Sequence, residues 1–365
     1  MADHDSKSEL RRFRLDEIDR KFEVHWKSGS LKYGDFKKLA EGGTARLDTC
    51  RDKNLQRTVV YKTLHAHLLD NEIEVARFVR EARVTANIQH TGTVPVYELG
   101  RDRSGNLFFT MKRVMGRDLR DILEALKAGD PETIEKFPLP RLLDVLIQVG
   151  NCIAYAHEQG VIHRDLKPAN IIVGGFGETL VLDWGLAKII GEEADLPAND
   201  GGDHEADPTL TPPGRRYGTP LYMSPEIALG DPEIDGRSDV FSLGSILFEI
   251  LTRQNLLFGE TAKEVTDMLL EKPIRWPSNV APELSPPPEL EAICIKALRK
   301  EKESRYQTVK AMVNDLHLYR LGEEVSVYEY SGIEKVNRWN NRHAITITAF
   351  LFFGLGILIT WLVMR

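Results

Sequence analysis

The sequence predicts an α+β chain of two lobes, strands first and helices second, closed by a single transmembrane helix. Three observations carry this reading. Five short strand-like runs fall between Tyr33 and Val114, helical patterning dominates from Asp118 onward, and Ala344 to Met364 is 21 residues long without a charge.

In chain order, residues 1–30 hold seven basic and seven acidic side chains with little periodicity, which reads as a charged arm, helical in part or disordered. The strand-like runs that follow (LKYGDFKKLAEG, ARLDTCRD, RTVVYKTL, GTVPVYELG, NLFFTMKRV) are broken by Gly, Asn and charged turns. One helical stretch interrupts them, Asp70–Ile88, where Val75, Val79, Ala82 and Ala86 recur at i, i+4, i+7 and i+11. In the second lobe Arg141–Gln159 reads as a long helix capped by Gly160. Arg237–Arg253 is a strongly apolar helix, and Glu289–Arg299 and Val309–Arg320 are shorter ones. Pro282–Pro288 is a proline-rich loop, and no internal repeat is visible.

The final run reads AITITAFLFFGLGILITWLVM. As a helix rising about 1.5 Å per residue it covers roughly 31 Å, close to the hydrocarbon thickness of a bilayer. Beyond three Thr it has no polar face of the kind a buried core helix carries. Lys335, Arg338, Arg342 and His343 precede it, so the positive-inside rule places residues 1–343 in the cytoplasm, with Arg365 as one opposing charge. Trp339 and Trp361 suit the two interfaces. Met1 to Lys27 has no apolar run, so no signal peptide is expected. Only Arg365 follows the span, so no domain is expected beyond it; a chain cut at this point would read the same.

Composition narrows the function classes. Hydrophobic residues are 42% and charged ones 28%, enough apolar content to bury a core. Lys+Arg 48 against Asp+Glu 55 leaves a net charge of -7, which argues against nonspecific nucleic-acid binding. Cys50, Cys152 and Cys294, scattered and odd in number, exclude a disulfide framework and a CxxC zinc site.

The sharpest chemical signal is His163-Arg-Asp-Leu-Lys-Pro-Ala-Asn170, followed after a turn-like GGFGE and an apolar TLVLD by Asp183-Trp-Gly185. Two loops of this kind present Asp165, Lys167, Asn170 and Asp183 together. Asn170 and Asp183 are oxygen ligands of the type that suits Mg²⁺, which takes one or two protein oxygens plus substrate phosphates. Asp165 can accept a proton from an attacking hydroxyl, and Lys167 can neutralise charge on a transferring phosphoryl group.

On these residues the chain resembles a Hanks-type (eukaryotic-like) bacterial serine/threonine protein kinase with a C-terminal transmembrane helix. The motif set is the one already known for that family, and it runs in the family's order from Tyr33 to Arg320. The resemblance implies a two-lobed protein kinase fold over residues 31–320: a small antiparallel β lobe with one helix, then a larger helical lobe. A juxtamembrane segment over 321–343 and the transmembrane helix over 344–364 would follow.

The resemblance also assigns roles. It makes Asp165 the catalytic base, Lys167 the catalytic-loop lysine, and Asn170 and Asp183 the metal ligands. Lys62, in VVYKTL, would hold the α- and β-phosphates and Glu81 would pair with it. Met111 would precede the hinge whose backbone binds adenine, and Leu39, Ala40, Gly42, Gly43, Leu47 and Val60 would complete the ATP site. Glu226 of Tyr222-Met-Ser-Pro-Glu226 would pair with Arg305 as a structural contact, and Asp239 would brace the catalytic loop. ATP and Mg²⁺ follow as cofactors, and protein Ser or Thr hydroxyls as substrates, since tyrosine kinases place Ala or Arg near the position of Lys167. Thr219, in GTP, fits the same class and would hydrogen-bond near Asp165 and Lys167.

The chain departs from the family pattern at the phosphate loop. A G-x-G-x-x-G loop brings backbone N–H groups onto phosphates because glycine has no Cβ. Here Ala40 and Ala45 stand for the first and third glycines while Gly42 remains, so weakened ATP handling is expected. Val60 stands where the family has Ala over the adenine, and Trp184 replaces Phe, a change of packing more than of chemistry. The imperfect loop keeps open an inactive kinase fold acting as a membrane-tethered nucleotide-binding or scaffolding protein. A small-molecule phosphotransferase of aminoglycoside-kinase type would share the HxDxxxxN loop but lack the Tyr222–Glu226 motif, Asp239 and Arg305.

Ile190–Pro213 carries seven acidic and no basic residues among Gly, Pro and Asn, the composition of a mobile loop. Arg164 is placed to pair with a phosphate on it, so autophosphorylation is expected on Thr209 or Thr211; a plain solvated insertion is the alternative. Self-association through the span could favour transfer in trans, although the span holds no small-xxx-small motif. His65, His67, His90, His157 and His317 make no metal-ligand spacing. His65 and His67 read as surface or lobe-interface residues, His90 as a loop anchor and Cys152 as core.

Overall fold

The computed structural model describes residues 27–190, 220–335, Arg338 and Met364. Most of the charged arm, the acidic loop with Thr209 and Thr211, Thr219, and the apolar run except Met364 lie outside the described residues. Among the described residues no helix is long and apolar enough to cross a membrane.

The five strand-like runs form one antiparallel sheet in the order β1-β2-β3-β5-β4: β1 (Tyr33–Glu41), β2 (Ala45–Asp52), β3 (Arg57–Leu64), β4 (Val96–Arg101) and β5 (Leu107–Lys112). Pairing sets Leu47 opposite Lys62 and Lys62 opposite Phe109; the next row on the same face is Thr49, Val60 and Met111. On the other face Tyr33, Cys50, Val59, Tyr61 and Phe108 make a small separate core.

Helix α1 (Glu72–Asn87) begins at Asn71, whose Oδ1 accepts from the amides of Ile73 and Glu74. It buries Phe78 and Ala82 against Ala45, Leu64, Leu107 and Phe109, with Val75 and Val79 packed at the edge. The expected apolar stripe needs one correction, because Ala86 is exposed. The helix reaches the second lobe at its last turn, and there Val84 and Ile88, not Ala86, join the larger core.

That lobe contains α2 (Leu119–Lys127), α3 (Pro131–Lys136), α4 (Leu139–Glu158), α5 (Pro225–Leu229), α6 (Arg237–Thr252), α7 (Ala262–Glu271), α8 (Pro277–Val280), α9 (Pro288–Ala297) and α10 (Val309–Arg320). Two small sheets line its upper edge: β6 (Gly116–Asp118), β8 (Ile171–Gly174) and β9 (Thr179–Val181) form one, and β7 (Val161–Ile162) with β10 (Lys188–Ile189) the other. The four helices expected from periodicity are α4, α6, α9 and α10. Gly160 after α4 has φ 74°, the left-handed conformation that favours glycine past a helix end. The short helices have too few turns to show a period; several rely on caps instead, with Asp118, Asp130 and Thr261 accepting from Asp121, Thr133 and Glu264 amides.

Beyond α10 the chain lies back on the lobe. Buried Asp315 accepts from the Tyr306 hydroxyl at 2.6 Å and from the Ser326 amide and hydroxyl at 2.9 and 2.8 Å. Arg338 donates to the carbonyls of Gly322 and Glu323 and to the Glu289 carboxylate.

Candidate active site

Strand alternation aims Lys62 from β3 into the space between the lobes, and α1 brings Glu81 to meet it. Nζ of Lys62 lies 2.6 and 2.7 Å from the two Glu81 oxygens. The side chains are 15% and 13% exposed, so this pair is shielded but reachable from the cleft. Burial disfavours the Lys62 charge, yet the Glu81 and Asp183 carboxylates outweigh it and hold the ammonium above its usual range. Burial and the Asp183 charge push Glu81 up while Lys62 pulls it back; with both oxygens on Nζ, the ionised pair is the state this geometry holds.

Asp183 follows β9 with φ 61°, an uncommon conformation for a residue with a Cβ. Its carboxylate is crowded by protein yet open to the cleft. Burial works against its charge, but Lys62, Lys167 and His163 and the Gly185 amide together hold it below the usual carboxylate range. A Cβ on Gly185 would stand 3.2 Å from Asp183 Oδ1; without one, the Gly185 N–H reaches that oxygen at 3.3 Å. Trp184 is fully buried, packs 4.6 Å from the His163 ring, and leaves its indole N–H without a partner.

The His163–Asn170 loop is built from buried groups. Asp165 Oδ2 accepts from Lys167 Nζ at 2.8 Å, and Asn170 Nδ2 donates to the Asp165 carbonyl at 2.9 Å. The His163 amide donates to Oδ2 and the Arg164 amide to Oδ1 of Asp239, each at 2.9 Å. Asp239 is fully buried in the first turn of α6, and Oδ2 also meets His157 Nε2 at 2.7 Å. Burial alone would raise its carboxyl; the His157 contact, His163 and the loop amide outweigh this and hold it low.

The two alanines of the phosphate loop differ. Ala40 is exposed on β1, but Ala45 is buried in the small-lobe core, its methyl among Leu64, Phe78 and Phe109. Gly42 and Gly43 form the open β1–β2 turn, where the Gly42 amide donates to the Ala45 carbonyl at 3.0 Å. Leu39 is exposed at the mouth of the cleft, Leu47 half-buried, and Val60 buried opposite Met111. His65, which sequence suggests is a surface or interface residue, holds the turn: its ring Nε2 lies 2.8 Å from the Gly42 carbonyl and its amide donates to Thr44. The pairing of His157 with Asp239 is likewise invisible in the sequence, since nothing in residue spacing ties positions 82 apart.

Far from the cleft, Arg305 makes a two-pronged pair with Glu226, NH1 to Oε1 at 2.7 Å and NH2 to Oε2 at 2.8 Å. Ser238 adds a third contact to that carboxylate, and the carbonyls of Arg299, Lys300 and Arg237 accept the remaining guanidinium donors.

Lys62, Glu81, Asp183, Asp165, Lys167 and Asn170 thus converge on one cleft, while Glu226, Arg305 and Asp239 lie beneath it. The donor set suits Mg²⁺: the Asp183 carboxylate faces the cleft, and Asn170 spends its amide N–H on Asp165, leaving its oxygen for a cation. Among the described residues no cluster of three or more His, Cys, Asp or Glu forms a closed protein metal cage.

A sequence profile of the protein kinase domain matches residues 33–317. The chain is similar to serine/threonine-protein kinase PknD of Chlamydia pneumoniae, 33% identical over 296 residues, 80% of this chain and 31% of the relative. It is 32% identical over 296 residues to PknD of Protochlamydia amoebophila, covering 80% of this chain and 30% of that one. It is 33% identical over 290 residues to the probable serine/threonine-protein kinase SCO3848 of Streptomyces coelicolor, covering 79% and 40%. The matched part spans about a third of the length of these curated relatives.

Proposed function

The chain belongs to the protein kinase domain family, and from that membership we propose that it transfers the γ-phosphoryl group of ATP to Ser and Thr hydroxyls of proteins, its own loop between Asp183 and Glu226 included. The observation that carries this reading is the closed Lys62–Glu81 pair beside Asp183, in the same cleft as Asp165, Lys167 and Asn170.

In this reading Lys62 holds the phosphate chain of ATP and Glu81 holds Lys62. Asp165 orients the substrate hydroxyl and takes its proton as the phosphoryl group moves in line, with Lys167 balancing the charge that develops. Lys167 already bonds Asp165 Oδ2, so the hydroxyl reaches a carboxylate whose orientation is set beforehand. Mg²⁺, held by Asn170 and Asp183, supplies neutralising charge on the phosphates when bound. The full set of charged side chains supports transfer over a binding-only fold.

The apolar run at 344–364 supports a single-pass anchor, with the kinase domain over 31–320 held by the 321–343 segment at the cytoplasmic membrane face and self-association able to bring two active sites together. Transfer of labelled phosphate from ATP to the protein itself and to a generic basic protein tests the activity. Wild type should label both, and Asp165→Asn should lose about 10²–10⁴-fold; equal labelling by the two would overturn the proposal.

A further inference from the structure

The turn between β1 and β2 has little packing of its own. Gly42, Gly43 and Thr44 are all exposed. A Cβ on Gly43 would meet nothing within 4 Å, and one on Gly42 only the Ala45 carbonyl at 3.7 Å. Two successive glycines leave such a turn a wide choice of backbone conformation. Within the hairpin the Gly42 amide donates to the Ala45 carbonyl at 3.0 Å. Among the described residues, the hydrogen bonds that reach Gly42, Gly43 and Thr44 from outside the hairpin come from His65 alone.

His65 is itself fixed. It follows β3 directly, and its amide donates to the Thr44 carbonyl at 3.0 Å while its carbonyl accepts from the Leu68 amide at 3.0 Å. His67 stacks on its ring, with centroids 5.5 Å apart and planes 16° apart. From that base Nε2 lies 2.8 Å from the Gly42 carbonyl; a carbonyl only accepts, so Nε2 carries the proton. The Gly42 carbonyl and the Gly43 N–H belong to one trans peptide and point in opposite directions. A ring that holds the carbonyl therefore turns the N–H away from itself. His65 stands at an odd spacing from Lys62, so strand alternation sets its ring on the opposite face of the sheet, and away from the ring is toward the side that the ammonium faces.

We propose that His65 is a positioning residue for ATP: its ring holds the peptide between Gly42 and Gly43 so that the Gly43 N–H is presented to the phosphate chain. In a loop whose flanking glycines are replaced by Ala40 and Ala45, the donor is then set before the nucleotide arrives, and binding does not have to order the turn. The inference rests on the ATP-binding reading proposed above.

The test compares wild type, His65→Phe and His65→Gln as full chains in detergent with Mg²⁺. Phe keeps a ring to stack on His67 but has no donor, whereas Gln carries an amide N–H at the reach of Nε2. His65→Phe should raise the KM for ATP, and the Kd of its nonhydrolysable imido analogue by titration calorimetry, about tenfold while kcat changes less than about twofold. Adenosine, which has no phosphate, should bind wild type and His65→Phe alike, an equality that general damage to the small lobe would not leave. His65→Gln should return the KM to within about threefold of wild type. With wild-type transfer intact, an unchanged KM in His65→Phe, an equal loss of adenosine affinity, or a Gln variant as weak as the Phe one would each overturn this inference alone. A wild type that binds no ATP analogue would overturn the activity proposed above as well.

Discussion

The backbone of Arg164 is left-handed, with φ 67°, and its amide donates to Oδ1 of Asp239, 75 residues further along the chain and fully buried. A non-glycine residue in that region costs on the order of 1–3 kcal/mol and persists only where its surroundings hold it. Asp239 supplies the hold, and the side chain of Asp165, one residue on, inherits its position from it.

Gly236→Ala should disturb that hold from a distance. A Cβ there would come within 2.7 Å of His157 Nδ1, and the ring that must give way bonds Asp239. We expect a stability loss of about 1–3 kcal/mol by urea denaturation, with a fall in kcat larger than any rise in the KM for ATP.

Acid should release the same bracing. The carboxyls of Asp239 and Glu226 are held below their usual values, so their stabilising contribution is complete above the unfolded carboxylate range and is lost as pH falls through the folded values. Tm should be flat from pH 7 to about 5 and drop below about 4. The drop should be shallower in Asp239→Asn and Glu226→Gln, measured by circular dichroism.

Arg305→Ala leaves Glu226 buried without its cation and should cost about 3–5 kcal/mol. Replacing both partners by apolar residues should cost much less than the sum of the single changes. Urea midpoints of the four proteins of the cycle measure the coupling.

Lys62→Met should reduce phosphate incorporation by about 100-fold or more. It also leaves Glu81 facing Asp183, and a carboxyl already pushed up then rises further. A raised acid stabilises below its unfolded value and loses that contribution as pH rises through its folded value. Lys62→Met should therefore lose stability progressively as pH rises above about 5, and Glu81→Gln in the same chain should restore the flat profile.

Ala45→Gly should not improve ATP handling. Its methyl faces Leu64, Phe78 and Phe109, so the change should cost about 1 kcal/mol of stability with the KM for ATP unchanged. Ala40→Gly, on the exposed strand, is the variant in which a lower KM is expected.

The cleft residues were legible in the sequence because the chemistry there depends on residue type at short spacing. Asp165, Lys167 and Asn170 share one loop, and the five strand-like runs, each cut off by Gly, Asn or charged turn residues, became β1 to β5. The buried face of α1 was only partly legible, since periodicity shows which side is apolar but not where a helix leaves one core for another.

By itself, then, the amino-acid order determined the succession of strands and helices, the apolar C-terminal run and the identity of the reactive side chains, all of which rest on local pattern. Tertiary structure alone decided that Asp239 meets His157 and Arg164, that His65 holds the phosphate turn, that the methyl of Ala45 points into a core, and that the hydroxyl of Thr179 is buried without a partner. Those outcomes depend on which surfaces come together, and that is set by the packing of the whole chain at once, a property no short window of residues contains.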